Sequence, residues 1–252
     1  MAGLSDLTDK QLKEVLDKLI MAADSVELKL TLPETARAKT SAALGNDPLD
    51  AEVRQVFFFD TPDLKLNDAG VVVRARRRQG EDGDTVVKLR PVVPADLREE
   101  LRQSDRFKVE VDAMPGGYVC SASFKGAADN DVIWEVGFGR KPIHRLFSKE
   151  QREFYEEHAP EGLGLDDLTV LGPIPTMRLK NRPDAFGRKL VTELWLYPDG
   201  SQIIELSTKA EPSDAFQAAI ETRAYLSSID VDLDAEQHTK TKTALEFFTT
   251  KG

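Results

Sequence analysis

Val71-Val72-Val73-Arg74-Ala75-Arg76-Arg77-Arg78 is the stretch on which the fold turns. Arg74, Arg76 and Arg78 recur every second residue, opposite Val73, Ala75 and Arg77. Alternate side chains of a strand share a face, so three guanidinium groups project together. A helix would throw positions two apart onto different sides. The β-branched valines that open the run also favour a strand. Such a basic run can mark a nucleic-acid or nuclear-targeting patch; the strand context and the alternation disfavour that reading.

The same alternation spreads outward from this run. In Ser25–Leu32, Glu27 and Lys29 oppose Val26, Leu28, Leu30 and Leu32. Thr85–Arg90 sets Lys88 and Arg90 against Val87 and Leu89, and Phe107–Asp112 sets Lys108, Glu110 and Asp112 against Phe107, Val109 and Val111. Thr176–Arg182 places Arg178, Lys180 and Arg182 on one face. Glu193 in Lys189–Tyr197, and Glu205, Ser207 and Lys209 in Gln202–Lys209, oppose leucines and isoleucines. Val53–Asp60 and Asp131–Phe138 also read as strands. For any one of them, a half-buried antiparallel sheet with a wet outer face is explanation enough. Together, however, the charged faces carry eleven basic residues and five acids, in a chain of net charge −10. Segregation that strong points to a site for a polyanion. Closing the strands into a barrel, with helices over its apolar outside, turns the charged faces into a lumen. Like charges crowded there need counter-charge, and the planar fork of arginine matches phosphate oxygens.

The 252 residues, 40% of them apolar and 31% charged, show no repeat, low-complexity tract or linker, so 1–252 reads as a single domain with its barrel core at about 25–210. A helix is expected over 8–22, with Thr8 and Gln11 as capping box and Leu7 and Leu12 as hydrophobic staple. A second is expected from Ser148, boxed by Gln151, to about His158. The C-terminal helices are expected within about 213–248, the last between Asp234 and Phe248. Leu97–Arg106 and Gly162–Pro175 read as loops or short helices, and Asp199-Gly200 as a hairpin turn. No apolar run is long enough to span a membrane, and the N-terminus lacks the basic and apolar regions of a signal peptide. With the lone Cys120, this makes the expected location cytoplasmic. One cysteine and three scattered histidines exclude a zinc finger or ribbon. The net acidity argues against nucleic acid as the main partner, and no P-loop or dinucleotide fingerprint occurs.

At these strands the sequence resembles the CYTH family, the triphosphate tunnel metalloenzymes. Glu27-Leu28-Lys29 resembles the end of its opening Glu-x-Glu-x-Lys strand. Phe59-Asp60-Thr61 resembles the segment before its arginine strand, and Val73-Arg74-Ala75-Arg76 that strand itself. Val87-Lys88-Leu89-Arg90, Glu110-Val111-Asp112, Thr192-Glu193-Leu194 and Ile204-Glu205-Leu206 resemble its later strands, in the family's order. The resemblance implies an α+β fold: an eight-stranded antiparallel β-barrel, open as a tunnel, with helices packed outside. It implies binding of a triphosphate or polyphosphate with Mg2+ or Mn2+. Carried over by position, Glu27, Glu193 and Glu205 would hold metal. Lys29, Arg74, Arg76, Lys88, Arg90, Arg178 and Lys180 would grip phosphate. Glu27, Lys29, Glu110 and Asp112 would serve catalysis. The reaction it implies is hydrolysis of a small triphosphate, foremost inorganic tripolyphosphate. The alternatives are cyclisation of ATP, hydrolysis of thiamine triphosphate, or binding without turnover. A homodimer is compatible with all of them.

Two acids of the family pattern are absent. Ser25 stands where the first glutamate of the opening strand belongs, and Ser207 where the second glutamate of the final strand belongs. A hydroxyl is a weak substitute for a carboxylate on a hard cation. The phosphate-gripping side of the pattern is complete, so binding is the firmer expectation and turnover the weaker.

Overall fold

A computed structural model of the chain describes residues 9–32, 34–231, 233, 237 and 240–250. Nine strands form its frame: β1 (Ser25–Leu32), β2 (Glu52–Asp60), β3 (Val71–Arg78), β4 (Glu81–Leu89), β5 (Phe107–Met114), β6 (Gly117–Ala128), β7 (Thr169–Asn181), β8 (Leu190–Leu196) and β9 (Gln202–Ala210). They close into one barrel in the order β1-β5-β6-β4-β3-β2-β7-β8-β9. The helices are α1 (Asp9–Met21), α2 (Arg37–Ala43), α3 (Lys65–Asp68), α4 (Glu99–Arg102), α5 (Asn130–Gly137), α6 (Lys149–Glu156), α7 (Ala215–Ser228) and α8 (Lys240–Thr250).

The barrel corrects the expectation of eight antiparallel strands. It has nine, and β1 runs parallel to β5, with Ser25 beside Glu110 and Glu27 beside Asp112. Every other neighbouring pair is antiparallel. The strand absent from the sequence reading is β6, whose Gly, Ala and Ser content gives little strand signal. Asp131–Phe138, read as a strand, lies almost wholly in α5. The Asp129 carboxylate caps it, accepting from the backbone N–H of Asp131 at 2.7 Å, and buried Ile133 and Val136 stand three apart, the helical spacing. β7 begins at Thr169, inside the segment read as a loop. Pro173 and Pro175 disguised it; Pro173 lies where the register with β2 shifts between Val56 and Phe58, a place that tolerates a missing N–H donor, and Pro175 pairs with Gln55 beside it. The Ser148–Gln151 capping box is present at the start of α6. Thr8 and the side chains of Leu7, Gln11 and Leu12 lie outside the described residues, as does Asp234.

The alternation positions the site by sending the apolar faces outward. Phe57, Phe59, Val73, Val87, Val109 and Val111 pack under Ile133 and Val136 of α5 and Phe154 and Tyr155 of α6. Leu30, Leu190 and Leu206 pack under Tyr225 and Leu226 of α7. Each such phenylalanine or leucine contributes about 1.5–3 kcal/mol by leaving water. Gln151 ties α6 to the wall, donating through Nε2 to the carbonyls of Phe124 at 3.1 Å and Thr85 at 3.3 Å. A side chain at Gly126 would meet Gln151 Oε1 at 2.4 Å, so the close approach needs glycine there. α8 is placed differently from α5, α6 and α7. Its Ala244 and Leu245 pack against Val56, Phe58, Trp195 and Ile203, which share their strand faces with the charged residues of the lumen. α8 therefore covers part of the barrel's inner wall at β2, β8 and β9. No helix among the described residues is long and apolar enough to cross a membrane.

Candidate functional site

The lumen holds a cavity of about 440 Å³ lined by ten cations and six carboxylates. Strand periodicity explains the gathering. β3 contributes Arg74, Arg76 and Arg78 from one face, β4 contributes Asp84, Lys88 and the adjoining Arg90, and β1 contributes Glu27 and Lys29. Glu110 and Asp112 of β5, Arg178 of β7, Glu193 of β8 and Glu205 of β9 face the same space. Eleven of the twelve expected site residues thus meet in one cavity. Lys180 does not line it; it stands near the rim with its ammonium 3.8 Å from Glu52. Arg182, counted with the charged faces, turns aside and donates from Nε to the Gly187 carbonyl.

The charges fall into local groups. Asp112, almost fully buried, accepts from Lys29 Nζ at 2.8 Å and lies 3.7 Å from Lys88 and 3.9 Å from Arg90. Burial would raise its pKa, but Lys29, Lys88 and Arg90 outweigh burial and hold it far below the usual carboxylate range. Lys29 also meets Glu27 at 3.2 Å. Burial opposes its charge, yet Glu27, Asp112 and Glu205 together raise its pKa well above that of a free lysine. Lys29 is therefore a fixed ammonium and not a proton acceptor. At the mouth, Glu110 pairs with Lys209 at 2.5 Å and Lys125 at 3.6 Å.

A second group involves residues that the sequence reading did not single out. Arg76 grips Asp84 through Nε and Nη2 at 2.8–3.0 Å. Glu52 receives a two-pronged contact from buried Arg54 at 2.7 and 2.8 Å and a further one from Arg78 at 3.2 Å. Against burial, Arg54 and Arg78 draw the pKa of Glu52 down to about 2. Glu52 and Asp84 were legible in principle, since they continue the alternation of β2 and β4 just before the strand starts assigned to Val53 and Thr85, and Arg54 lies inside the expected Val53–Asp60 strand. Lys125 lies on the unrecognised β6, and Lys240 on α8 carried no pattern pointing into a barrel.

Arg74 is the exception among the cations. It has no ion-pair partner among the described residues, and its Nε is buried without a hydrogen-bond acceptor, as is Nε of Arg178. Burial, with Arg76 beside it, lowers the pKa of Arg74 to about 10. Burial likewise lowers Lys88 to about 8, with Asp112 opposing and Lys29 and Arg90 assisting. Cations under such strain stabilise an incoming anion.

The three carboxylates expected to hold metal are engaged by lysines. Glu193 and Glu205 face each other across β8 and β9. The ammonium of Lys240 lies against both, 2.7 Å from Glu205. Glu27 is engaged by Lys29, and among the described residues no three His, Cys, Asp or Glu side chains converge on a common point. Ser25 and Ser207, both buried, add no charge. The expected set of Glu27, Glu193 and Glu205 is thus split between two lysines.

Comparison with solved structures finds this fold elsewhere. A candidate adenylyl cyclase from Hippeastrum, whose structure was described as revealing a dominant triphosphatase activity, superposes with a TM-score of 0.62 at 17% identity, over 87% of this chain and 94% of that one. A candidate adenylate cyclase from Bacillus halodurans superposes with a TM-score of 0.61 at 12% identity, over 88% of this chain and 97% of that one. At such identities the likeness is one of fold. No family model and no curated protein matches the chain.

Proposed function

We propose that the barrel is a binding well for linear triphosphates and short polyphosphates, with inorganic tripolyphosphate preferred. The observation that carries this reading is the Arg74 guanidinium, whose buried Nε finds no acceptor among the described residues, in a cavity whose cations outnumber its carboxylates ten to six. A linear triphosphate brings one negative charge per phosphoryl group and a further one at each end when fully ionised. It would supply the missing acceptors to Arg74, Arg178, Lys88 and Arg90 together. No aromatic side chain is among the described residues that line the cavity. Nothing there would stack on an adenine or thiamine ring, which favours the inorganic anion over ATP or thiamine triphosphate.

Hydrolysis of the terminal anhydride is a second reading, favoured by one feature. Asp112 Oδ2 is buried without a hydrogen-bond donor and faces the same cavity. A water held there would accept its direction from the carboxylate and attack the terminal phosphorus, releasing pyrophosphate and phosphate. The depressed pKa of Asp112 suits it to orienting that water and not to removing its proton. The triphosphatase activity attributed to the Hippeastrum protein is in keeping with this reading.

Calorimetric titration with tripolyphosphate, ATP and thiamine triphosphate, paired with assays for free phosphate and cyclic AMP, tests both readings. Tripolyphosphate is expected to bind more tightly than either ester. Absence of tripolyphosphate binding would overturn the proposal. Phosphate release that a Glu27→Ala, Glu205→Ala control loses would establish turnover.

A further inference from the structure

We propose that Lys240 is a built-in cation that takes the place of a divalent metal at the Glu193–Glu205 pair, so that the cavity works without one. Its ammonium contacts Glu193 and lies 2.7 Å from Glu205, bridging the two acids across β8 and β9. An ammonium carries three donors and suits contacts near this length, whereas Mg2+ demands about six oxygens at about 2.0–2.1 Å. Arg178 at 3.6 Å and Arg54 at 3.7 Å also approach Glu193. A dication arriving at the pair would meet three positive side chains already in place, and like charges crowded there oppose it.

The lysine is also anchored. The Tyr197 hydroxyl donates to the Lys240 carbonyl at 3.3 Å, and the ammonium lies 5.4 Å from the centre of the Trp195 ring. One turn on, Ala244 and Leu245 are buried against inward-facing Val56, Phe58 and Ile203. Displacing the ammonium would mean drawing α8 off the barrel's inner wall. Ser25 and Ser207 fit the same picture, since a site without a metal needs no further carboxylates.

This inference rests on reading the cavity as an anion site, yet Mn2+ titrated alone tests it without any phosphate present. Mn2+ binding would be followed by electron paramagnetic resonance on the full chain, comparing wild type with Lys240→Gln, Lys240→Arg and Glu205→Gln. Wild type, Lys240→Arg and Glu205→Gln are expected to show the same weak surface binding. Lys240→Gln is expected to gain one equivalent, bound at least about tenfold more tightly, and to lose it again when Glu205→Gln is added. A tight equivalent in wild type that Glu205→Gln removes would overturn the proposal, as would Lys240→Gln gaining none. If Lys240→Gln fails to fold, Lys240→Met, which keeps the aliphatic stem against Trp195, takes its place with the same expected gain and the same overturning result. Tripolyphosphate binding in the presence of a chelator separates the two ideas: its loss refutes the anion well, while the Mn2+ result stands or falls separately.

Discussion

Two sides of the same cavity treat charge in opposite ways. On the side built by β1, β5, β8 and β9, each acid has a lysine: Asp112 and Glu27 share Lys29, and Glu193 and Glu205 share Lys240. On the side built by β3 and β4, Arg76 is matched by Asp84, but Arg74 is unpaired and Lys88 has only a contact of 3.7 Å. The first side is neutralised from within. On the proposed reading the second side takes its counter-charge from a bound anion. Buried charge thus serves structure where it is paired and recognition where it is not, and substitutions should separate the two.

The largest effect is expected on the paired side. Asp112→Asn leaves Lys29 with Glu27 alone and takes the nearest carboxylate from Lys88 and Arg90, and should cost about 3 kcal/mol of stability, read from urea unfolding. Because the native pKa of Asp112 is depressed, its contribution is present above the ordinary carboxylate pKa and is lost as pH falls. The acid limb of the stability profile should therefore flatten in Asp112→Asn. If unfolding is unchanged, the two sides do not differ as described.

On the unpaired side, Arg74→Met should lower tripolyphosphate affinity by about 1.5–3 kcal/mol, the worth of hydrogen bonds to a charged group. Without ligand it should raise stability by about 1–3 kcal/mol, since it removes a buried unsatisfied donor. A variant that loses stability along with affinity would place Arg74 with the structural charges.

A smaller effect follows from Lys88. Above its pKa of about 8 the free protein loses a charge that bound phosphate would retain, so affinity falls as pH rises through that value. The limit is about tenfold per pH unit. Stability moves the other way. Between about 8 and 10.5 the unfolded chain holds the proton and the native state does not, so stability rises across that window. Calorimetry and thermal melts over the range, with Lys88→Met as the flat control, check both signs. The smallest effect lies outside the barrel: removing the exposed Lys149–Glu153 pair of α6 through Lys149→Ala should change stability by less than about 0.5 kcal/mol.

What could be read in the sequence was whatever alternates. Arg74, Lys88, Asp112 and Glu205 share one lumen because a period of two leaves few other places for them. The parallel joint of β1 to β5 was not legible, because strand direction leaves no mark on local pattern and the partners lie far apart in sequence. α5 was misread because Val132, Ile133 and Val136 make too short an apolar pattern to separate helix from strand. Lys240 was invisible for a different reason. Its role depends on where α8 docks, and that is set by Ala244 and Leu245 meeting residues from β2, β8 and β9.

The cover that α8 lays on the inner wall at β2, β8 and β9 also bears on traffic. A barrel open at both ends lets a polymer thread through and be cut anywhere along its length. A well narrowed at one end would favour entry by a terminus, past Lys125 and Lys209, the exposed cations that line the cavity. A long polyphosphate would be read from its tip, whichever end enters first, and a cyclic phosphate would present no tip at all. Were a bound chain cleaved there, the outer fragment would have to leave before the inner one.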